Sequence, residues 1–277
     1  MRILVTGING QLGHDVVKEL NKRGHNPIGV DREQMDLAVP LQIKECIGKV
    51  NPEAIIHCAA YTAVDSAEDN ESLCRQINAY AVRDIAQCAK NLDIPMIYIS
   101  TDYIFDGTKE GTYSENDNSN PINVYGKTKY EGELFVKELL DKYYIVRISW
   151  VFGENGNNFI DTMIRLSKDR DELNVISDQI GSPTYTKDLA PLLVDMIETD
   201  KYGTYHATNE GFCSWNEFAK EIFKVKNIDI KVNTISTNEY PVKAKRPINS
   251  KMSKDKLACS GFKELRNWKE AVEDYLK

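Results

Sequence analysis

The sequence predicts an α/β fold: a doubly wound parallel sheet with a smaller C-terminal α/β lobe. Three observations carry this. In the first half, short apolar strand-like runs alternate with stretches of helical periodicity. A glycine-rich turn joins the first run to the first helix. Past Gly153 the alternation loosens, yet no repeat, low-complexity tract or long linker intervenes. At 277 residues the chain suits one large domain or two that share a core.

The elements follow in order. "ILVTG" (3–7) reads as a buried strand, and the helix after it places Leu12, Val16, Val17 and Leu20 on one apolar face. "NPIGVD" (26–31) is a second strand and "AIIHCAA" (54–60) a third. A long helical stretch covers 71–91, "PMIYIST" (95–101) is the fourth strand, a helix follows Tyr125, and "YYIVRISWVFG" (143–153) is the next strand. Buried strands alternating with helices imply a parallel sheet covered on both faces. In the second half, 157–170 and 186–200 read as helices, 172–185 as a strand and turn, and 203–208 as a short strand. Ser214, with Glu217 three residues on, is a capping-box start. The turn-rich "YPVKAKRPINS" and a helix around Trp268 close the chain. The expected division is residues 1–152 as the first domain, completed by parts of 173–205, with 153–277 mainly the second lobe.

Composition excludes several classes. Hydrophobic content is 42% and charged content 28%, ordinary for a soluble globular protein. Net charge is −7 with no basic block, so neither nucleic acid nor an anionic membrane is expected as the main partner. The six cysteines are scattered, with no C-x-x-C pair or Cys/His cluster, which argues against zinc and for a reducing compartment. The chain opens on "MRILVTG", without the pattern of a signal peptide, and no run is long enough to span a bilayer; a cytoplasmic location is expected.

The turn "TGINGQLG" supplies Gly7, Gly10 and Gly13, with Gln11 and Leu12 at the start of the helix. Glycines permit a tight turn and close backbone approach, and the helix N-terminus offers free N–H groups to a pyrophosphate. The spacing is G-x-x-G-x-x-G rather than the commoner G-x-G-x-x-G. Its context, with strand before, helix after and Asp31 ending the second strand, reads as a Rossmann-type dinucleotide site. Asp31 suits a ribose 2′-hydroxyl and Arg32 a 2′-phosphate, so NADH and NADPH both stay open, with Asp31 tilting the balance to NADH. Asp36 and Leu37 are placed beside the adenine, and Ala59, Ala60 and Tyr61, ending the third strand, beside the cofactor. Asp36 equally suits a helix N-cap.

"NVYGKTKYEGE" (123–133) puts Tyr125 four residues before Lys129, on one face of a helix. A nearby ammonium favours a phenolate, so the pair suits a general acid whose pKa is drawn down from about 10. Alone, the pair also fits a surface tyrosine beside a solvated lysine.

The loop spacing, "STD" ending the fourth strand and Y-x-x-x-K together resemble the extended short-chain dehydrogenase/reductases. That resemblance implies a catalytic set of Thr101, Tyr125 and Lys129, with Lys129 also holding the nicotinamide ribose. "AAYTAVDSAE", "STDYIFDG", "PINVYGKTKYEGE", "RISWVFG", "NNF", "DQIGSPTY" and "RPINS" narrow the resemblance to the dTDP-4-dehydrorhamnose reductase family, over nearly the whole chain. It implies reduction of dTDP-4-dehydro-L-rhamnose by NAD(P)H, for rhamnose-containing surface polysaccharide. Asp102 and Trp150 are then expected to line the sugar pocket, Asn158 to shape the interface with the substrate-binding lobe, and Arg246 to take the diphosphate with Asn249 beside it. Dehydratases of the superfamily carry Asp-Glu after the catalytic threonine, whereas here Tyr103 follows Asp102, which points to reduction without elimination. Some family members dimerise through magnesium held by glutamates, one just past the phosphate loop. Asp15 stands there, so no metal ligand is assigned and monomer and homodimer stay open. The alternatives are another nucleotide-sugar reductase, an epimerase, or a non-catalytic homologue such as a regulatory subunit of methionine adenosyltransferase.

Overall fold

The computed structural model describes all 277 residues. The first half runs β1 (Arg2–Thr6), α1 (Gln11–Lys22), β2 (Asn26–Val30), α2 (Pro40–Val50), β3 (Ala54–His57), α3 (Val64–Ala67), α4 (Glu71–Arg75), a π-helical turn (Gln76–Tyr80), α5 (Ala81–Leu92), β4 (Met96–Thr101), α6 (Val124–Leu139) and β5 (Tyr143–Ile148). The second half runs β6 (Val151–Phe152), α7 (Phe159–Leu166), β7 (Glu172–Ile176), β8 (Ile180–Gly181), β9 (Thr184–Tyr185), α8 (Thr186–Ile197), β10 (Gly203–His206), β11 (Cys213–Ser214), α9 (Trp215–Lys226), β12 (Lys231–Ile235), α10 (Asp255–Cys259) and α11 (Trp268–Tyr275).

Six parallel strands form the main sheet in the order β10-β5-β4-β3-β1-β2. Successive strand residues face opposite sides, which sorts the core into two layers. Ile3, Val5, Ile56, Ile97, Ile99 and Val146 pack with α1 and α8. Leu4, Ile55, Met96, Tyr98 and Ile145 pack with α2, α5 and α6 on the other face. Leu257, Phe262 and Leu265, from late in the chain, return to the α1–α8 layer. A separate core unites α7, β7, α9 and α11 through Phe152, Ile160, Phe218, Trp268 and Val272.

Three boundaries differ from the sequence expectation. The stretch 143–153 is not one strand: Trp150 takes φ +49°, which turns the chain out of the sheet, and β6 pairs with β9 instead. The helix over 71–91 is interrupted by the π-helical turn. An unexpected helix, α2, joins β2 to β3; only Ile43 and Ile47 of it are buried, so its apolar stripe is thin. The winding reverses between β1 and β3, and ligands bind at such a switch point, beyond the carboxyl ends of the strands.

Candidate active site

A cavity of about 1260 Å³ opens at that switch point. Its floor is the glycine loop. Gly7 takes φ +72°, and a side chain there would press on the Ala59 backbone at 2.9 Å. A Cβ at Gly13 would lie 2.3 Å from the Gly7 carbonyl oxygen. The loop is thus packed backbone to backbone, and no side chain caps the first N–H groups of α1. Uncapped N–H groups at the start of a helix are a ready anion site.

The cleft wall gathers Gly7, Gly10, Gln11, Leu12, Gly13, Asp31, Arg32, Asp36, Leu37, Ala59, Ala60 and Tyr61. Asp31 accepts from the Glu33 N–H at 2.9 Å and from the Asn9 side-chain amide. The Arg32 side chain is 85% exposed and reaches Asp36 at 3.2 Å, so it is free to turn towards a ligand. Asp36 accepts from the Ala38 N–H at 2.9 Å and shapes the turn before α2.

At the other end, the end of β4 delivers Thr101, the turn after it Asp102, and α6 delivers Tyr125 and Lys129 to the same wall. The start of α6 is fixed from three sides. The Asn123 side chain caps Gly126 N–H at 2.7 Å and donates to the Lys245 carbonyl at 2.8 Å, while Glu68 accepts from Val124 N–H at 2.9 Å. The Tyr125 ring meets Tyr103 edge-on at 5.7 Å. Lys129 is 2% exposed, donates to the Ile99 carbonyl at 2.6 Å, and lies 4.1 Å above the Tyr98 ring. Thr101 donates to Asp102 at 3.0 Å and accepts from Tyr103 N–H at 3.2 Å.

The electrostatics correct one expectation. The Tyr125 phenol does not sit below its ordinary pKa: burial pushes it well above, against the pull of the neighbouring Thr101 hydroxyl. Burial instead lowers the Lys129 ammonium to about 7, opposed by the Glu133 carboxylate. Burial also raises Asp102 to about 6. Ser250 approaches Asp102, yet no hydrogen bond of normal geometry reaches its Oδ2.

Trp150 lines the cleft, but Asn158, Arg246 and Asn249 do not. Asn158 caps α7 through Asp161 N–H at 3.1 Å and donates to the Tyr275 hydroxyl at 2.9 Å. Arg246 lies behind Tyr103, where its guanidinium is matched by Asp65 at 2.6 Å. Asn249 donates to the Lys109 and Gly111 carbonyls at 2.7 and 2.8 Å, pinning that loop. In each case the polar group is spent on the chain's own backbone or a neighbouring side chain. Asp15, just past the glycine loop, accepts from the Thr186 hydroxyl at 2.6 Å inside the α1–α8 contact.

Three contributors went unread in the sequence. Trp215 stacks on Trp150 at 3.7 Å and joins the cleft wall; its signal was the capped helix start at Ser214. Asn78, in the π-helical turn, accepts from Tyr61 N–H at 2.8 Å and donates to the Tyr61 carbonyl at 3.0 Å. Asn9 braces Asp31. Asn9 lies inside the glycine turn, whereas Asn78 had no local signal.

Known proteins resemble this geometry closely. The family model for the RmlD substrate binding domain matches residues 1–277. A dTDP-4-dehydrorhamnose reductase from Aggregatibacter actinomycetemcomitans is 40% identical, over 99% of this chain and 97% of its own. The spore coat polysaccharide biosynthesis protein SpsK of Bacillus subtilis is 35% identical, over 100% and 97%. The solved structure of a dTDP-4-dehydrorhamnose reductase from Bacillus anthracis, in complex with NADP, superposes with a TM-score of 0.96 at 44% identity, covering 99% of this chain and 98% of that one. By its sequence and its fold, the chain belongs to the RmlD substrate-binding-domain family, the family of the dTDP-4-dehydrorhamnose reductases.

Proposed function

We propose that this chain reduces dTDP-4-dehydro-L-rhamnose to dTDP-L-rhamnose, in the supply of rhamnose for surface polysaccharide. The observation that carries the reading is Thr101, Tyr125 and Lys129 at one end of a cleft whose other end is the glycine loop, in a chain with such reductases as full-length relatives.

The glycine cradle fits a dinucleotide: Gly7 and Gly13 let the loop, the end of β3 and the start of α1 pack backbone to backbone, and no side chain caps the first N–H groups of α1. Gly7, Gly10, Gly13 and the start of α1 would hold the pyrophosphate, and Asp31 and Arg32 the adenosine ribose. NADPH or NADH supplies the hydride when bound; the Bacillus anthracis relative was solved with NADP.

The chain's own residues manage the proton. Burial keeps the Tyr125 hydroxyl protonated at neutral pH, which is the form that donates to the sugar C4 oxygen. As that proton leaves, negative charge grows on the phenol oxygen, and the Lys129 ammonium one helical turn away stabilises it. Thr101 offers its hydroxyl to the same developing oxyanion. Asp102 Oδ2, buried without a partner, is an acceptor for a sugar hydroxyl. Trp150 and Trp215 form an aromatic wall for the sugar nucleotide. Tyr103, buried and held well above its ordinary pKa by burial, is no base, so elimination has no agent at that position.

The test follows reduced-nicotinamide absorbance as dTDP-4-dehydro-L-rhamnose is added. Oxidation is expected with the wild type, and a fall of roughly 100- to 10,000-fold in Tyr125→Phe with cofactor binding kept. Unchanged turnover in Tyr125→Phe would overturn the mechanism. A wild-type protein that binds cofactor but does not act on this sugar would overturn the substrate.

A further inference from the structure

Lys129 is a buried cation whose direct contacts are neutral. The acids nearest to it on α6 are engaged elsewhere, Glu131 with Arg75 at 2.9 Å and Glu133 with Arg147 at 2.8 Å. Its Nζ donates to the Ile99 carbonyl at 2.6 Å and stands 4.1 Å from the centre of the Tyr98 ring. An ammonium has three donors. The carbonyl takes one and the aromatic face closes off a second direction, which leaves the third for the cleft that Lys129 lines. Tyr98 and Ile99 both belong to β4, the strand that ends in Thr101.

The ring is itself fixed. Tyr98 is fully buried, and its hydroxyl shares its one proton between the Lys129 carbonyl at 3.2 Å and the Asn78 carbonyl at 3.3 Å. A buried tyrosine hydroxyl finds such partners. Gly132 lies three residues beyond Lys129 on the same face of α6. It keeps the place open, because a Cβ there would fall 2.5 Å from both the Tyr98 hydroxyl oxygen and the Asn78 carbonyl oxygen.

The third wall is the π-helical turn, a feature that recurs at functional sites. Asn78 gives its carbonyl to Tyr98 and its side chain to the backbone of Tyr61 in the cleft wall, at 2.8 and 3.0 Å. One turn thus touches both the cofactor side of the cleft and the support of Lys129. Filling the core at position 98 asks only for an apolar side chain. A ring with an ammonium on its face, and a hydroxyl bonded to the backbone of that same lysine, does more.

We infer that Tyr98 is a positioning residue of the site: its ring face seats the Lys129 ammonium, and its hydroxyl fastens the helical turn that carries it, so that the remaining N–H is directed into the cleft. The inference rests on reading Lys129 as the active-site cation.

The experiment observes Lys129 by NMR of protein carrying isotope-labelled lysine, with its signals assigned through Lys129→Arg. A methylene held on an aromatic face is moved upfield by the ring current. Tyr98→Phe keeps the face and removes the hydroxyl, whereas Tyr98→Met fills the space with an adaptable side chain that has neither. The Lys129 ε-methylene is expected upfield in the wild type and in Tyr98→Phe, and at the ordinary lysine position in Tyr98→Met. With dTDP-4-dehydro-L-rhamnose as substrate, kcat should fall roughly 3- to 30-fold in Tyr98→Met and less than about threefold in Tyr98→Phe, with KM for the sugar little changed in either. An unshifted Lys129 signal in the wild type would overturn the inference, whether or not the methionine variant folds. So would a folded Tyr98→Met protein with wild-type kcat, or a Tyr98→Phe protein that loses as much as Tyr98→Met. Failure of the wild type to reduce the sugar, with the Lys129 signal shifted, would overturn the substrate reading and leave the seat standing.

Discussion

The two ends of the cleft are built differently. At the glycine loop, backbone does the work: Gly7 and Gly13 are in contact with Ala59 and with each other's peptide groups, leaving no room for a Cβ. At the other end, side chains from β4, α6, the turn at Trp150 and the start of α9 converge over long sequence separations. A backbone-built site fails when atoms are added. A side-chain-built site fails when they are removed, and by degrees, because its neighbours share the load.

That contrast yields ordered expectations. Gly13→Ala should hurt most, since its Cβ would fall 2.3 Å from the Gly7 oxygen, with only backbone there to give way. At an overpacking penalty of about 1–3 kcal/mol, cofactor affinity should drop by roughly ten- to a hundredfold, measured by reduced-nicotinamide fluorescence titration. An affinity equal to wild type would show that the loop yields more easily than its packing implies. Trp215→Ala should cost less. It removes one face of a 3.7 Å stack that holds Trp150 in a left-handed backbone conformation, so KM for the sugar nucleotide should rise roughly three- to tenfold with kcat less affected. A change confined to cofactor KM would place Trp215 on the wrong end of the cleft. Arg32→Ala is the most selective: its exposed side chain touches only Asp36, so KM for NADPH should rise by roughly tenfold while KM for NADH holds steady. Equal effects on both cofactors would remove Arg32 from the 2′-position.

Much of the backbone-built end was legible without coordinates, because a glycine loop between strand and helix is a local pattern. So was the Tyr125–Lys129 pair, whose spacing is a helix property. The side-chain-built end was harder to read. Arg246 and Asn249 have the right chemistry for a phosphate and a sugar, yet Asp65 and two loop carbonyls already hold them. Trp215 and Asn78 reach the site through the fold rather than through any motif of their own.

By itself the sequence determined the alternation of strands and helices, the glycine cradle and the residue types of the reacting set, since each depends on neighbours a few positions apart. Only the tertiary structure decided the protonation balance. Burial raises Tyr125 and lowers Lys129, and the buried Glu133 carboxylate one turn further along α6 is gripped by Arg147 from β5. Desolvation is a property of everything packed around a group, and no spacing along the chain encodes it.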